Sequence, residues 1–154
     1  MKKELDRIDI KIISALQTDG RMTNVDLADK VGISAPPCLR RVRVLEKGGY
    51  LTGYHADVDS AKLGFTVTVF AMVGLHSQAD KDLKAFEELV RSWPEVRECH
   101  MLNGDIDFIL KCVSEDLSSF QMFLTQKLTP APNVANVKTS LTIRQTKKKP
   151  GVPL

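Results

Sequence analysis

Leu5, Ile8, Ile12, Ile13 and Leu16 recur at helical spacing, so the chain opens on an amphipathic helix that ends near Asp19-Gly20. Thr23-Asn24-Val25-Asp26 then sets a threonine cap three residues before an acid, a capping-box pattern. The short helix behind it is predicted to bury Val25, Ala28 and Val31, and Gly32 supplies its left-handed stop. Ser34 is placed as the N-cap of a third helix, with Pro36 and Pro37 in the first turn, where a missing amide proton costs little. In that third helix Cys38, Leu39, Val42 and Leu45 fall on one side. Arg40, Arg43 and Lys47 fall on the other, with Arg41 on a flank. Gly48-Gly49 ends it, and Tyr50-Leu51, Thr52-Gly53 and Tyr54-His55-Ala56 read as a short hairpin. Two helices joined by a tight glycine turn, the second cationic, then a hairpin, form a winged helix-turn-helix, assigned to residues 1–56.

The pattern changes after a polar hinge at residues 57–64. Residues 65–75 are apolar on both faces and rich in Val, Phe and Thr, as in a buried strand. A helix over 80–93 turns Leu83, Phe86, Leu89, Val90 and Trp93 inward before Pro94 stops it. Strands over 96–102 and 106–113 flank Asn103-Gly104-Asp105, with Ile106, Phe108, Leu110 and Cys112 on one face. Leu117, Phe120, Leu124 and Leu128 stripe a further helix, and a strand over 134–144 completes the order β-α-β-β-α-β. The fold class is therefore α+β: a winged helix-turn-helix followed by a ferredoxin-like domain over 65–145, with a basic, flexible tail at 146–154. Two helices cover one face of such a sheet, and nothing else in the chain can cover the second. A second copy can, which predicts a homodimer carrying two cationic helices.

Composition narrows the class. With 154 residues, 43% hydrophobic and 27% charged, the chain has the balance of a globular protein. Its longest apolar run, interrupted by Thr68 and Gly74, is too short to span a bilayer, so no membrane partner is expected. A charged amino terminus without a signal-peptide core favours the cytoplasm. Cys38, Cys99 and Cys112 are odd in number and far apart, which argues against a disulfide framework or zinc cluster. His100 and Cys99, adjacent on a strand, point to opposite faces and cannot share an ion simply. No nucleophile–base set and no phosphate-cradling glycine loop is present, so neither catalysis nor a cofactor or metal is expected. The net charge is only +3. Residues 30–54, however, hold five basic side chains against one acid, whereas 61–146 hold nine against ten. The rest of the excess is Lys147-Lys148-Lys149. A cationic segment in a balanced chain is the footprint of phosphate binding, although a solvated helix face would carry the same charge.

Several stretches together resemble the Lrp/AsnC (feast/famine) family of transcription regulators. They are Leu5-Asp6-Arg7-Ile8-Asp9, Gly20-Arg21-Met22-Thr23-Asn24-Val25-Asp26-Leu27-Ala28, Val31-Gly32-Ile33-Ser34 and Cys38-Leu39-Arg40-Arg41-Val42-Arg43-Val44-Leu45-Glu46. Gly53-Tyr54, Glu98-Cys99-His100 and Gly104-Asp105-Ile106-Asp107-Phe108 continue the likeness, which covers about residues 4–145. Ala35-Pro36 and the lysine run depart from the pattern.

The resemblance implies binding to double-stranded DNA, with residues 34–47 in the major groove. Arg40, Arg41 and Arg43 are candidates for base edges or phosphates, their division of labour open; Ser34, Pro36, Pro37 and Lys47 complete the helix face. Thr23 and Asn24 are plausible phosphate contacts. It also implies an amino-acid-like effector near residues 104–107, at the contact between dimers of an octamer. There the amides beside Gly104 could hold an α-carboxylate, and Asp105 or Asp107 an α-ammonium. Met101, Ser140, Leu141 and Thr142 are implied neighbours of that ligand. An ordinary hairpin in which Asp105 caps its own turn is the alternative. Sirohaem decarboxylases look like the same fold with DNA reading lost; Arg40, Arg41 and Arg43 together argue against that role. An architectural DNA-binding protein indifferent to metabolites is a third reading. In the first and third readings the place of action is the nucleoid.

Overall fold

The computed structural model describes residues 4–154. Its backbone divides into two compact units: the chain up to Asp57 together with Lys147–Leu154, and Val58–Thr146.

The first unit contains α1 (Arg7–Thr18), α2 (Asn24–Val31) and α3 (Ala35–Lys47). Asp6 caps α1: its carboxylate accepts from the Ile8 and Asp9 N–H groups, each at 2.9 Å, and Asp9 returns to the Asp6 N–H. Thr23 caps α2 by accepting from the Asp26 N–H at 3.2 Å. Asp26 does not reach back to the backbone as a full capping box would; its carboxylate instead accepts from the Thr23 hydroxyl at 2.6 Å. Gly32 ends α2 in the left-handed region, at φ 79°, as expected. Ile12, Ile13, Ala15, Leu16, Leu27, Ala28, Val31, Cys38 and Leu45 form the core of this unit. Two expected core positions lie outside it. Val25 is 59% exposed because Leu27 and Ala28 set the inward direction of α2, and Leu39 is 39% exposed because Cys38 and Leu45 set that of α3.

The hairpin expected over residues 50–56 is absent, with no strand pairing in that segment. A two-residue hairpin turn needs positive φ, and Gly53 does not adopt it, whereas Gly49 does at φ 72°. Residue 49 turns the chain back instead: the Tyr50 N–H donates to the Leu45 carbonyl at 3.0 Å. Tyr54 donates its hydroxyl to Glu46 at 3.0 Å, so the segment follows the helices. The tail, expected to be flexible, is also tied down. The Gln17 amide donates to the Val152 carbonyl at 3.2 Å and accepts from the Val152 N–H at 2.7 Å, and Lys148 pairs with Asp57. Composition pointed to solvation, but a side-chain amide that satisfies both main-chain groups of one residue can hold an extended segment.

In the second unit, β1 (Val67–Leu75), α4 (Asp80–Arg91), β2 (Val96–Met101) and β3 (Phe108–Ser114) come first. Next follow α5 (Leu117–Phe123), a π-helical turn (Leu124–Leu128) and β4 (Val134–Leu141). All pairs are antiparallel and the strand order is β2-β3-β1-β4, the ferredoxin-like arrangement. Five boundaries are shorter than expected, α4 by two residues and β2 by one at their ends among them. Phe65 is drawn into the turn after the hinge by its N–H bond to the Ser60 carbonyl at 2.8 Å; Ile106 belongs to the β2–β3 connection; and β4 stops at Leu141. Leu117, expected in the buried stripe, is exposed at the start of α5, whereas Phe120, Phe123 and Leu128 are buried. Phe86, Trp93, Phe108 and Phe123 meet ring to ring beneath the helices, with Phe86 and Phe108 centroids 4.9 Å apart.

Val69, Ala71, Val73, Leu110 and Cys112 face these rings. The alternate residues Thr68, Phe70, Met72, Ile109, Lys111, Val113, Lys138 and Ser140 therefore share the sheet's other face, which neither helix covers. Lys111 and His100 flank Glu98 there, with the Lys111–Glu98 pair at 2.7 Å.

Candidate nucleic-acid interface and ligand site

Pro36, Leu39, Arg40, Arg43, Val44 and Lys47 line a shallow concavity of about 300 Å³ on the outer side of α3. Arg40, Arg43 and Lys47 are exposed, and Leu39 and Val44 place apolar surface between them. Guanidinium forks beside small apolar groups suit base edges with thymine methyls, or phosphate. Ser34 sits at the N-cap with extended backbone, yet its hydroxyl makes no capping bond; it is exposed at the start of this face with Pro36, and Pro37 is half-buried.

Arg41 has a different role from its neighbours. Its guanidinium bonds Asp6 at 2.6 Å and Asp9 at 2.7 Å, and Asp9 is 0% exposed. The structure therefore corrects the expected groove role of Arg41, because this side chain clamps α3 to the start of α1. The bond from the Asp9 N–H, then the Arg41 guanidinium, hold the Asp6 carboxyl below the usual carboxylate range.

Thr23 and Asn24 are also committed internally. The Thr23 hydroxyl serves Asp26, and the Asn24 side-chain amide donates to the Ala35 carbonyl at 2.8 Å. Asn24 Oδ1 is buried without a partner. This corrects the reading of Asn24 as a phosphate contact through its side chain: that amide fixes the first turn of α3 against α2 and so sets the angle of the exposed arginines.

In the second unit, residues 102–107 connect β2 to β3, closed by the Leu102 N–H donating to the Asp107 carbonyl at 2.8 Å. Gly104, at φ 154°, and Asp105 are exposed at its tip. Asp107 is half-buried and one of its carboxylate oxygens, Oδ2, is committed within the fold. Its carboxylate accepts the Leu75 N–H at 2.6 Å and lies 3.4 Å from the Gln78 amide, beside the irregularity in β1–β4 pairing at Gly74/Leu75. Asp107→Ala should leave the half-buried Leu75 N–H without this acceptor and cost about 1–3 kcal/mol. Urea unfolding would show the loss, and an unchanged midpoint would count against the assignment.

The expected ligand neighbours divide into two groups. Met101 aligns with Phe108 and Val73, at one end of edge strand β2. Ser140, Leu141 and Thr142 lie at the far end of the opposite edge strand, Leu141 aligning with Val69. Three strand spacings and four residues separate them, about 14 Å across and 13 Å along the sheet. One chain does not bring them together.

The sequence reading missed Asp6, Asp9 and Gln17. The Asp6–Asp9 spacing is the same capping signal that it used at Thr23–Asp26. Burial raises the Cys112 thiol to about 12 and the Cys99 thiol to about 11, which keeps both protonated. Among the described residues no three His, Cys, Asp or Glu gather in a group that could hold a metal ion, and no helix is long and apolar enough to cross a membrane.

Comparison with known proteins covers both units. Residues 5–52 match a winged helix-turn-helix DNA-binding model, and residues 68–152 match the Lrp/AsnC ligand binding domain. The chain is 54% identical over 147 residues to a leucine-responsive regulatory protein of Rhizobium meliloti, covering 96% of this chain and 94% of that one. It is 43% identical to the Bkd operon transcriptional regulator of Pseudomonas aeruginosa, over 98% and 99% of the two chains. Among solved structures, a transcriptional regulator from Neisseria meningitidis in complex with L-Met superposes with a TM-score of 0.92 at 33% identity, over 97% of each chain. An AsnC family regulator from Agrobacterium tumefaciens gives 0.90, also at 33% and over 97% of each. The likeness runs through both halves at once, and this chain therefore belongs to the Lrp/AsnC family: it is a DNA-binding transcriptional regulator with a ligand-binding domain.

Proposed function

We propose that the protein reads operator DNA as a homodimer, and that an amino acid bound where copies meet sets its assembly or its DNA affinity. The observation that carries this reading is the separation of the two expected ligand segments at opposite corners of one sheet. A site that uses both Met101 and Ser140–Thr142 needs more than one copy, so ligand binding and assembly are linked by geometry. The open sheet face, with Phe70, Met72, Ile109 and Val113 at its centre, supports pairing of two chains; further contacts at the 102–107 connection would build an octamer from dimers.

The chemistry supports an amino acid. Backbone amides around Gly104 suit an α-carboxylate, and Asp105, the carboxylate left exposed there, suits the α-ammonium. The Neisseria meningitidis relative was solved with L-Met, a ligand of this class. Coupling between such a site and assembly is typically about 1–3 kcal/mol, or about 5- to 150-fold in affinity. DNA as partner sets the place of action on the nucleoid.

Calorimetry against each proteinogenic amino acid, followed by retardation of the protein's own upstream DNA with and without the best binder, tests the proposal. Heat from at least one amino acid at millimolar concentration and a matching change in DNA affinity or sedimentation are expected. Silence from all of them would overturn the effector reading while leaving DNA binding intact.

A further inference from the structure

The lysine run belongs, by its contacts, to the unit that carries α3. Ten basic and eight acidic side chains precede Val58; Lys147–Lys149 raise that unit's net charge from +2 to +5. Val58–Thr146 carries nine basic and eleven acidic side chains. The three lysines thus supply more than half of the positive excess of the DNA-binding unit.

Their placement is built by several contacts. Gln17 holds both main-chain groups of Val152, at 2.7 and 3.2 Å. Gly151 is left-handed, at φ 72°, and a Cβ there would stand 1.8 Å from Gln17 Oε1, so any larger residue would push the clamp away. Lys148 pairs with Asp57 and cancels an acid that would otherwise repel phosphate. Asp57 follows Tyr54, whose hydroxyl bonds Glu46 in the last turn of α3 and whose ring lies 3.3 Å from where a Gly20 Cβ would be, in the α1–α2 turn. Gln17 and Asp57, the two anchors, thus lie three residues from Gly20 and Tyr54, the pair that joins the α1–α2 turn to the last turn of α3.

We propose that the docked segment 147–154 is a second phosphate-contacting element of the DNA-binding unit, presenting Lys147 and Lys149 to the duplex backbone while Lys148 holds the segment to Asp57. The inference rests on the DNA-binding reading above and adds a contact to it. Non-specific attraction to phosphate is the chemistry expected, since lysine ammonium groups release condensed counterions without reading bases.

The test is the salt dependence of affinity for a mixed-sequence duplex, measured with full-length protein between about 50 and 200 mM salt. Lys147→Ala/Lys149→Ala should make the log–log slope shallower by about 1.8 for each protomer on the duplex, or about twelvefold less affinity lost per protomer across that range. Gln17→Ala and, independently, Gly151→Ala remove no charge but release the segment, and each should also flatten the slope, with thermal melts confirming that the variants fold. A double-lysine slope equal to the wild type would overturn the proposal. So would flattening by the lysine changes with none from either release variant, because the charges would then act as an undocked arm. A wild-type protein that binds no duplex at any salt would instead refute the DNA-binding reading itself.

Discussion

Arg41→Ala is expected to destabilise the DNA-binding unit by about 3 kcal/mol, the low end for removing one partner of a buried ion pair. Asp9 is fully buried and Arg41 only 27% exposed, so little water screens them. The low end applies because Asp9 keeps its bond from the Asp6 N–H. Urea unfolding at neutral pH would show the loss; an unchanged midpoint would remove Arg41 from this role. The pH dependence follows from Asp6, whose folded pKa is depressed, first by the Asp9 N–H and then by Arg41. A depressed carboxylate stabilises the fold above its unfolded value near 3.8, and that contribution disappears as pH falls through the lower folded value. The gap between wild type and Arg41→Ala should therefore stay level at neutral pH and narrow in acid.

Arg40→Ala should leave the unfolding midpoint unchanged and weaken DNA binding by about ten- to a hundredfold per reading helix, the loss of one bidentate guanidinium contact. Arg40 is exposed on the concave outer face of α3, beside Arg43 and Pro36. Fluorescence anisotropy on an operator duplex, alongside thermal melts, separates this effect from that of Arg41. Affinity equal to the wild type would show that this helix face does not meet the duplex. Two arginines adjacent in sequence would thus fail in opposite ways, one through binding and the other through folding.

That contrast shows where sequence reasoning stops. Helices α1 to α3 were legible because their apolar spacing and Thr23, Gly32 and Ser34 caps are local signals. The β-α-β-β-α-β order was legible for the same reason, and strand ends were off by a few residues because terminal pairing depends on the partner strand. Arg41 meets Asp6 across 35 positions and Asp107 meets Leu75 across 32, so neither contact leaves a periodic trace. Charge alone makes Arg40, Arg41 and Arg43 equivalent, and only the buried Asp9 distinguishes them. The hairpin after α3 was misread because Thr52-Gly53 has turn composition without the backbone sign that a hairpin requires. The Gln17–Val152 clamp was invisible because it uses main-chain groups that every residue shares.

Residues 147–154 return to the unit that holds α1–α3, so Val58–Thr146 is in topology an insertion within the DNA-binding unit. Synthesis runs from the amino terminus, so all of Val58–Thr146 has been made before the residues that seal that unit are added. Docking of residues 147–154 onto Gln17 and Asp57 therefore waits until the whole ligand-binding unit has been made, and a variant that lacks those residues would carry that unit complete while the Gln17 clamp stands open.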